Sequence, residues 1–469
     1  MTNKRLWLLA AAAFLALGGV AIWFGGLNQD EGWYLYAANL VAEGKMPYRD
    51  FAFTQGPVLP WVYSWAVPIW REFGLLGART FNLLVGLGGI LACCAIARRL
   101  KGSALAVFLL LGCNLYHIYY IAIPKTYALA GLLVSLAFLC LTFEWWFSGV
   151  LAGLLLALSA GTRISMGGLL VAACAWYLTT RPRELKWLWL GLGGAIGCAI
   201  AYGPFLLDEA AREGLWAAQA YHTAREGFSP FLVAGSMSRL VRWYLPLVLA
   251  LGCLAFDRKR PVMPVLVVAP LVVMAAQLLA PVPYDDYQVP LMGLLAAAAG
   301  SAIDVKRLVP LALLAMATAF GNPLLEKWSV NGQDRFWPDR KESSELCQLR
   351  QAAATIEQLD PGGKQLLTQD LYLAIETGRK VPEGLEMGPF SMLTHEEWKA
   401  LLELAPCKVA ALSGYTFAIE PPRCNERDFD EQMEYWGMLK RRYELKQRVE
   451  KFGQNATTLL VLERKDLTE

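Results

Sequence analysis

Asn28-Gln29-Asp30-Glu31-Gly32-Trp33-Tyr34-Leu35-Tyr36-Ala37-Ala38-Asn39-Leu40-Val41-Ala42-Glu43-Gly44-Lys45-Met46-Pro47-Tyr48-Arg49-Asp50-Phe51 comes just after an apolar run, Leu6 to Phe24. That run is long enough to cross a ~30 Å hydrocarbon core. Trp33, Tyr36, Ala37, Leu40 and Val41 recur at helical spacing and Gly44 is a stop signal, so the stretch predicts a short helix lying in the outer membrane interface. Two adjacent carboxylates, Asp30 and Glu31, stand at its start. Asp30 has two readings here: a helix cap, worth about 1 kcal/mol, or a catalytic base at the membrane surface. The two are compatible, because a cap carboxylate has its pKa lowered by the helix amides. Asp50 carries the same pair of readings, as the cap of a turn before Phe51 or as part of a site.

Working outward, the pattern of the first run repeats. Of the 469 residues, 56% are hydrophobic and 18% charged, against roughly 45–50% and about 25% in ordinary globular chains. The apolar residues are concentrated between Leu6 and about Leu325, which excludes most soluble readings. Further spans are predicted near 78–97, 103–121, 126–143, 147–161, 164–180, 187–207, 239–256, 262–280, 288–303 and 308–324. With the first, this gives about eleven transmembrane helices, the form that satisfies its own backbone in lipid.

Basic clusters in the short connections orient the spans. Arg98-Arg99-Leu100-Lys101, Arg181 to Lys186, Asp257-Arg258-Lys259-Arg260 and Asp304-Val305-Lys306-Arg307 fall on the side of Lys4 and Arg5. The positive-inside rule makes that side cytoplasmic. The opposite face receives segments 25–77, 208–238 and 281–287 and, with an odd span count, the polar tail from residue 326. The first run is read as an uncleaved span, because no small-x-small cleavage site sits beyond it. The expected division is therefore a membrane domain, 1–325, and an extracytoplasmic domain, 326–469.

In the tail, 341–359 has helical spacing and stops at Asp360-Pro361-Gly362-Gly363. Residues 364–368 and 408–413 read as short strands, 396–404 and 428–442 as helices, and 457–463 as a closing strand. That is a small α/β domain, with neither a Gly-rich phosphate loop nor a nucleophile elbow. Its expected role is substrate presentation or stability. Cys347, Cys407 and Cys424 lie in this part, where Cys407 and Cys424 form one possible disulfide pair; the other seven cysteines sit in apolar runs as small hydrophobes. No CxxC pair occurs, and three histidines without HExxH exclude a zinc-peptidase site. No metal ligand set and no cofactor is implied. A net charge of +3 without a basic patch gives no nucleic-acid partner.

Basic residues at outer span ends are Arg79, Lys125, Arg163, Arg225, Arg239 and Arg242. Each alone reads as a snorkelling anchor; several together near two carboxylates suggest an anionic headgroup site. Lys125 and Arg163 lie in otherwise apolar surroundings, where an unpaired charge is costly. Tyr284-Asp285-Asp286-Tyr287-Gln288-Val289-Pro290 opens a late span, either as an aromatic belt with a capped helix start or as part of a site. His222, in Ala220-Tyr221-His222-Thr223-Ala224-Arg225, reads as a surface or core histidine or as a substrate contact.

Asp30-Glu31 after the first span, Tyr34, the Gly44…Pro47-Tyr48-Arg49-Asp50 run and Gly56-Pro57 resemble the first-loop pattern of the GT-C superfamily. They resemble in particular the branch containing protein O-mannosyltransferases, aminoarabinose transferases and many bacterial proteins. Ala78-Arg79-Thr80 at the second span and Tyr287…Pro290 at a late one are similar to that branch too. Thr368-Gln369-Asp370 and Gly378-Arg379-Lys380-Val381-Pro382 are similar to tails of its bacterial members.

The resemblance implies a polytopic GT-C-like membrane glycosyltransferase of the bacterial inner membrane. It would take a sugar from a polyprenyl-phosphate carrier and give it to a lipid, glycan or protein hydroxyl on the extracytoplasmic face. Asp30 is then the expected general base, and Glu31 orients the acceptor or the base. Lys125, Arg163 and Arg79 are the expected phosphate contacts; Tyr48, Asp50, His222, Arg225 and Tyr287 are the candidate substrate contacts. The chemistry suits one base plus positive charge, because a sugar phosphate brings its own leaving group, whereas glycoside hydrolysis ordinarily needs paired acid and base. One direct displacement inverts the anomeric carbon. Two rival readings are a lipid transporter or flippase, which calls for repeats or mid-membrane charges, and a non-catalytic assembly partner that tolerates changes in the first loop.

Overall fold

The computed structural model describes residues 3–223, 228–256, 264–281, 283–303, 307–329, 344–391, 393–413, 429–454 and 457–465. The chain is mostly helical. The membrane part runs α1 (Asn3–Phe24), α2 (Gln29–Ala42), α3 (Val58–Ser64), α4 (Val67–Arg99), α5 (Ala104–Gly112), α6 (Leu115–Ala122), α7 (Thr126–Leu141) and α8 (Trp146–Thr162). It continues through α9 (Gly167–Thr180), α10 (Lys186–Leu207), α11 (Glu209–Thr223), α12 (Pro230–Trp243), α13 (Leu245–Phe256), α14 (Val265–Leu278), α15 (Val289–Ala302) and α16 (Leu308–Ser329).

Three described helices, α1, α4 and α10, are by themselves long and apolar enough to cross a membrane. Large apolar side chains such as Leu15, Val171, Ile200 and Leu313 point outward from the bundle, as lipid-facing positions do. Every predicted span contains a helix, but residues 103–121 are not one straight crossing: α5 and α6 are bent by 75°. Asn114 makes the break, since its side chain accepts from His117 N–H at 3.0 Å as an N-cap and donates to Trp243 O at 2.9 Å. Helices α8 and α10 pack backbone to backbone: a Cβ on Gly193 would lie 1.9 Å from Val150 O, so only glycine permits the approach.

The tail contains α17 (Glu345–Leu359), α18 (Leu371–Thr377), α19 (His395–Leu404), β1 (Val409–Ser413), α20 (Phe429–Arg442), β2 (Tyr443–Phe452) and β3 (Thr457–Arg464). Its sheet is antiparallel in the order β1-β3-β2, with Ala411 opposite Val461 and Arg448 opposite Leu460. The expected strand at 364–368 is reduced to isolated bridges, Gln365 with Lys380 and Leu367 with Ala410. The charge-rich β2 was not expected as a strand. It is an edge strand with a largely solvated face, which removes the apolar signal. Cys407 is buried; Cys424, its possible partner, lies outside the described residues.

Two cores organise the molecule. One fills the bundle. The other joins Leu35, Ala38 and Leu40 of α2 and Leu59 and Tyr63 of α3 to Leu371, Leu373 and Ile375 of α18 and Leu460 of β3. The loop between α1 and α4 thus packs as part of the same layer as the C-terminal domain. The surface helix expected there is corrected: α2 has the predicted position, but Trp33, Tyr34, Leu35, Tyr36, Ala37 and Ala38 are all buried beneath α18 and α3.

Candidate active site

The start of α2 sets the site. Asn28, in extended conformation, caps the helix: its side chain accepts from Asp30 N–H at 3.0 Å, and Asn28 N–H donates to Glu31 Oε1 at 2.9 Å. This capping box corrects the reading of Asp30 as the cap. Capping uses the side chains of Asn28 and Glu31 and leaves the Asp30 carboxylate free for other partners.

Glu31 is wholly buried and paired with the equally buried Arg79. Arg79 Nε and Nη2 donate to the two Glu31 oxygens at 2.9 and 2.7 Å, Nη1 donates to Ile22 O and Gly25 O, and Nη2 to Gly26 O. Every guanidinium nitrogen is thereby engaged in tying the end of α1 and the start of α2 to α4. Arg79 has no donor left for a phosphate, which departs from the contact expected of it. Glu31 has both oxygens engaged by Arg79 and Asn28 N–H rather than turned to an acceptor, and of its two expected roles only orienting the base is compatible with this position. Such a pair is costly to break on one side, about 3–5 kcal/mol.

Asp30 projects instead toward the bundle. Its Oδ2 lies 2.8 Å from Lys125 Nζ, and its Oδ1 accepts from Trp33 Nε1 at 3.3 Å. Lys125, the residue before α7, also lies 3.4 Å from Asp286 Oδ2, which Tyr127 OH meets at 2.7 Å. Asp30 retains 28% side-chain exposure while Lys125 is nearly closed off. Burial raises the Asp30 pKa, but Lys125, Trp33 and Arg163 outweigh it and hold the carboxyl below its ordinary value.

Arg163 stands between α8 and a 3-10 turn, where the chain reverses into α9. Its guanidinium carbon lies 4.0 Å from the Tyr287 ring centre, and Nη1 donates to Thr126 Oγ1 at 3.3 Å. Its buried Nε makes no hydrogen bond among the described residues. Arg163 therefore differs from Arg79 in keeping a donor in hand at a closed site.

The 3-10 turn Asp285–Gln288 presents adjacent carboxylates in two directions. Asp286 faces Lys125. Asp285 accepts from Tyr116 OH at 2.6 Å and from Arg239 Nε at 2.8 Å, which fastens α6 and α12 to the same turn. Sequence reasoning quoted this motif and proposed only Tyr287 from it. Asp286 and Tyr127 are the members it missed; a carboxylate pair at a span start was the available signal.

The remaining candidates lie elsewhere. Asp50 closes its own turn, accepting from Met46 N–H at 2.7 Å and pairing with Arg49; these donors push its pKa down to about 2. Tyr48, in left-handed conformation, is buried, donates to Gln55 O, and packs edge-on against Phe205. Both are engaged in the local structure of the loop. His222 falls in α11 with its side chain outside the described residues, as is Arg225 entirely. Among the described residues no three His, Cys, Asp or Glu side chains converge as metal ligands.

No family model and no curated protein matches the sequence. Solved structures do match the fold. The chain is similar to ArnT from Cupriavidus metallidurans bound to undecaprenyl phosphate, with a TM-score of 0.65 and 13% identity over 100% of both chains. It is likewise similar to ArnT from the same organism in the apo state, with a TM-score of 0.63, 15% identity and 100% of both chains covered. Over its full length, membrane bundle and C-terminal layer together, the chain shares the fold of these ArnT structures, the fold expected from the first loop.

Proposed function

We propose that the chain is an inverting membrane glycosyltransferase that takes a sugar from a polyprenyl-phosphate carrier and transfers it to an acceptor hydroxyl on the extracytoplasmic face of a bacterial inner membrane. The observation that carries this reading is the Asp30–Lys125–Asp286 cluster with Arg163 beside it, on the fold of a protein crystallised with undecaprenyl phosphate. One partly exposed carboxylate next to two cations is the minimum set for displacing a phosphate leaving group.

Asp30 accepts the acceptor's hydroxyl proton as the acceptor oxygen bonds to the anomeric carbon. The bond from that carbon to the phosphate oxygen breaks, and its electron pair leaves with the phosphate. Lys125 and Arg163 receive the growing negative charge. Lys125 couples the two events: as its ammonium is drawn toward the leaving phosphate, Asp30 loses its cation and gains proton affinity. Asp286 and Tyr127 hold Lys125 between the two positions. Turnover of labelled polyprenyl-phosphate sugars by the purified chain in lipid tests the reading; wild-type consumption together with an inert Asp30→Asn variant is the expected result.

A further inference from the structure

The extracytoplasmic layer grips the chain on both sides of the Asn28 cap. Glu345 Oε2 accepts from Leu27 N–H at 2.6 Å, and Gln454 Oε1 accepts from Gln29 N–H at 2.9 Å. The Gln29 side chain donates through Nε2 to Asp370 Oδ1 at 2.7 Å. Tyr372 OH and Ser413 Oγ donate to the same oxygen at 2.8 and 3.1 Å, and Asp370 is wholly buried. The first amides of a helix lack partners within it; here one of them, that of Gln29, is satisfied by a residue more than 400 positions away. Gly32 brings α2 so close to the tail that a Cβ there would lie 2.4 Å from Tyr372 N.

We infer that Gln29 and Asp370 are positioning residues for Asp30, and that the C-terminal domain fixes the first turn of α2 at the reaction centre. The inference rests on the glycosyltransferase reading. Asp30 directly follows Gln29, so a displaced first turn moves the Asp30 carboxylate away from Lys125. Docking of the domain itself does not depend on this contact. Glu376 enters the kink of α4 at Gly74 and accepts from Leu75 N–H at 2.7 Å, Lys380 pairs with Glu43 at 2.7 Å, and Val381 N–H donates to Tyr36 OH at 3.0 Å. Loss of Gln29 therefore loosens the base while the layers stay together.

The test uses the full chain in lipid nanodiscs: wild type, Gln29→Ala, Asp370→Ala, Asp370→Asn and, as a distant interlayer control, Lys380→Ala. Turnover is read on whichever polyprenyl-phosphate sugar the wild type consumes, and amide hydrogen exchange is read over 27–36. Gln29→Ala is expected to lower kcat about 10- to 100-fold, the cost of a misplaced catalytic group, with donor KM changed by less than about twofold. Exchange over 27–36 rises while 345–359 and 457–464 stay protected. The acid limb of kcat/KM moves to higher pH, because Asp30 loses its cation. The groups facing Asp30 are Lys125 before α7, Arg163 after α8, Trp33 and Tyr34 on α2, and Tyr287 before α15. Asp370→Asn keeps an acceptor oxygen for Gln29 and recovers most activity, whereas Asp370→Ala does not; Lys380→Ala matches wild type. Full kcat in Gln29→Ala, an unmoved acid limb, unchanged exchange over 27–36, or equal loss in Asp370→Asn and Asp370→Ala overturns the inference. A wild type that consumes no donor removes the functional reading alone; exchange then decides the anchor, a rise supporting it and no rise overturning it.

Discussion

Lys125 Nζ lies 2.8 Å from Asp30 Oδ2, joining the start of α7 to the start of α2, although the two residues are far apart in sequence and come from different connecting segments. The contact sits under the C-terminal layer with the carboxylate still partly open. A charge pair of this kind at a closed interface is stabilised by each partner and weakened by any third charge that competes for the lysine.

Replacing Lys125 by Met removes the cation and keeps the stem. Donor binding should weaken and kcat/KM should fall by about 10² to 10³, the usual cost of one preorganised charge at a reacting centre. Steady-state kinetics on the consumed donor checks this, and an unchanged donor KM would take Lys125 out of the phosphate site.

The pH profile follows from the same pair. Asp30 is held below its ordinary carboxylate value, so its base form persists as pH falls and is lost only below that value. Wild-type kcat/KM should therefore have an acid limb below about pH 4, the unperturbed Asp range. In Lys125→Met, where partial burial acts without its counter-charge, the limb should shift to higher pH.

Glu31 and Arg79 should behave as structure. Glu31→Gln or Arg79→Ala leaves one member of a buried pair alone, expected to cost about 3–5 kcal/mol. Thermal unfolding in lipid nanodiscs should show a markedly lower midpoint for both. A normal midpoint with lost turnover would instead return Glu31 to a direct catalytic role. Arg79→Lys should not rescue, because a single ammonium cannot fill the five contacts of the guanidinium fork.

Asp370 supplies a prediction of opposite sign. Burial holds its carboxyl above the ordinary value although Gln29, Tyr372 and Ser413 donate to it. A raised folded pKa means the folded state binds the proton more tightly, so stability declines as pH rises from the unfolded value of about 3.9 through the folded one. Asp370→Asn should flatten that decline and melt at a higher temperature than wild type at neutral pH. Thermal melts at several pH values would show it; a parallel pH dependence in both proteins would contradict it.

How far the chain could be read from sequence depended on which physical signal each feature carries. The helices of the bundle follow from apolar length, and α2 from the spacing of Trp33, Tyr36, Ala37 and Leu40. Its burial was not legible, because the covering element, α18, lies more than 300 residues later and short apolar helices look alike at an interface. Lys125 was singled out from charge in apolar surroundings, and Asp30 from its place at the start of α2 and the first-loop resemblance. Their contact, and the addition of Asp286, required the three-dimensional convergence of α2, α7 and the 285–288 turn. Arg79 was misjudged for the same reason: carbonyls of Ile22, Gly25 and Gly26 that consume its donors carry no sequence signature. Strand β2 was missed because Lys446, Arg448 and Glu450 on an edge strand give the composition of a solvated helix or loop.

The most direct test of the central claim is donor turnover by the purified chain in lipid, with a panel of labelled polyprenyl-phosphate sugars and candidate acceptors, comparing wild type with Asp30→Asn. The account predicts that wild type consumes one donor class with inversion and that Asp30→Asn, folded and inserted, is inactive. Equal turnover by the two proteins would contradict Asp30 as the base, and no turnover of any donor by folded wild type would contradict the glycosyltransferase reading itself.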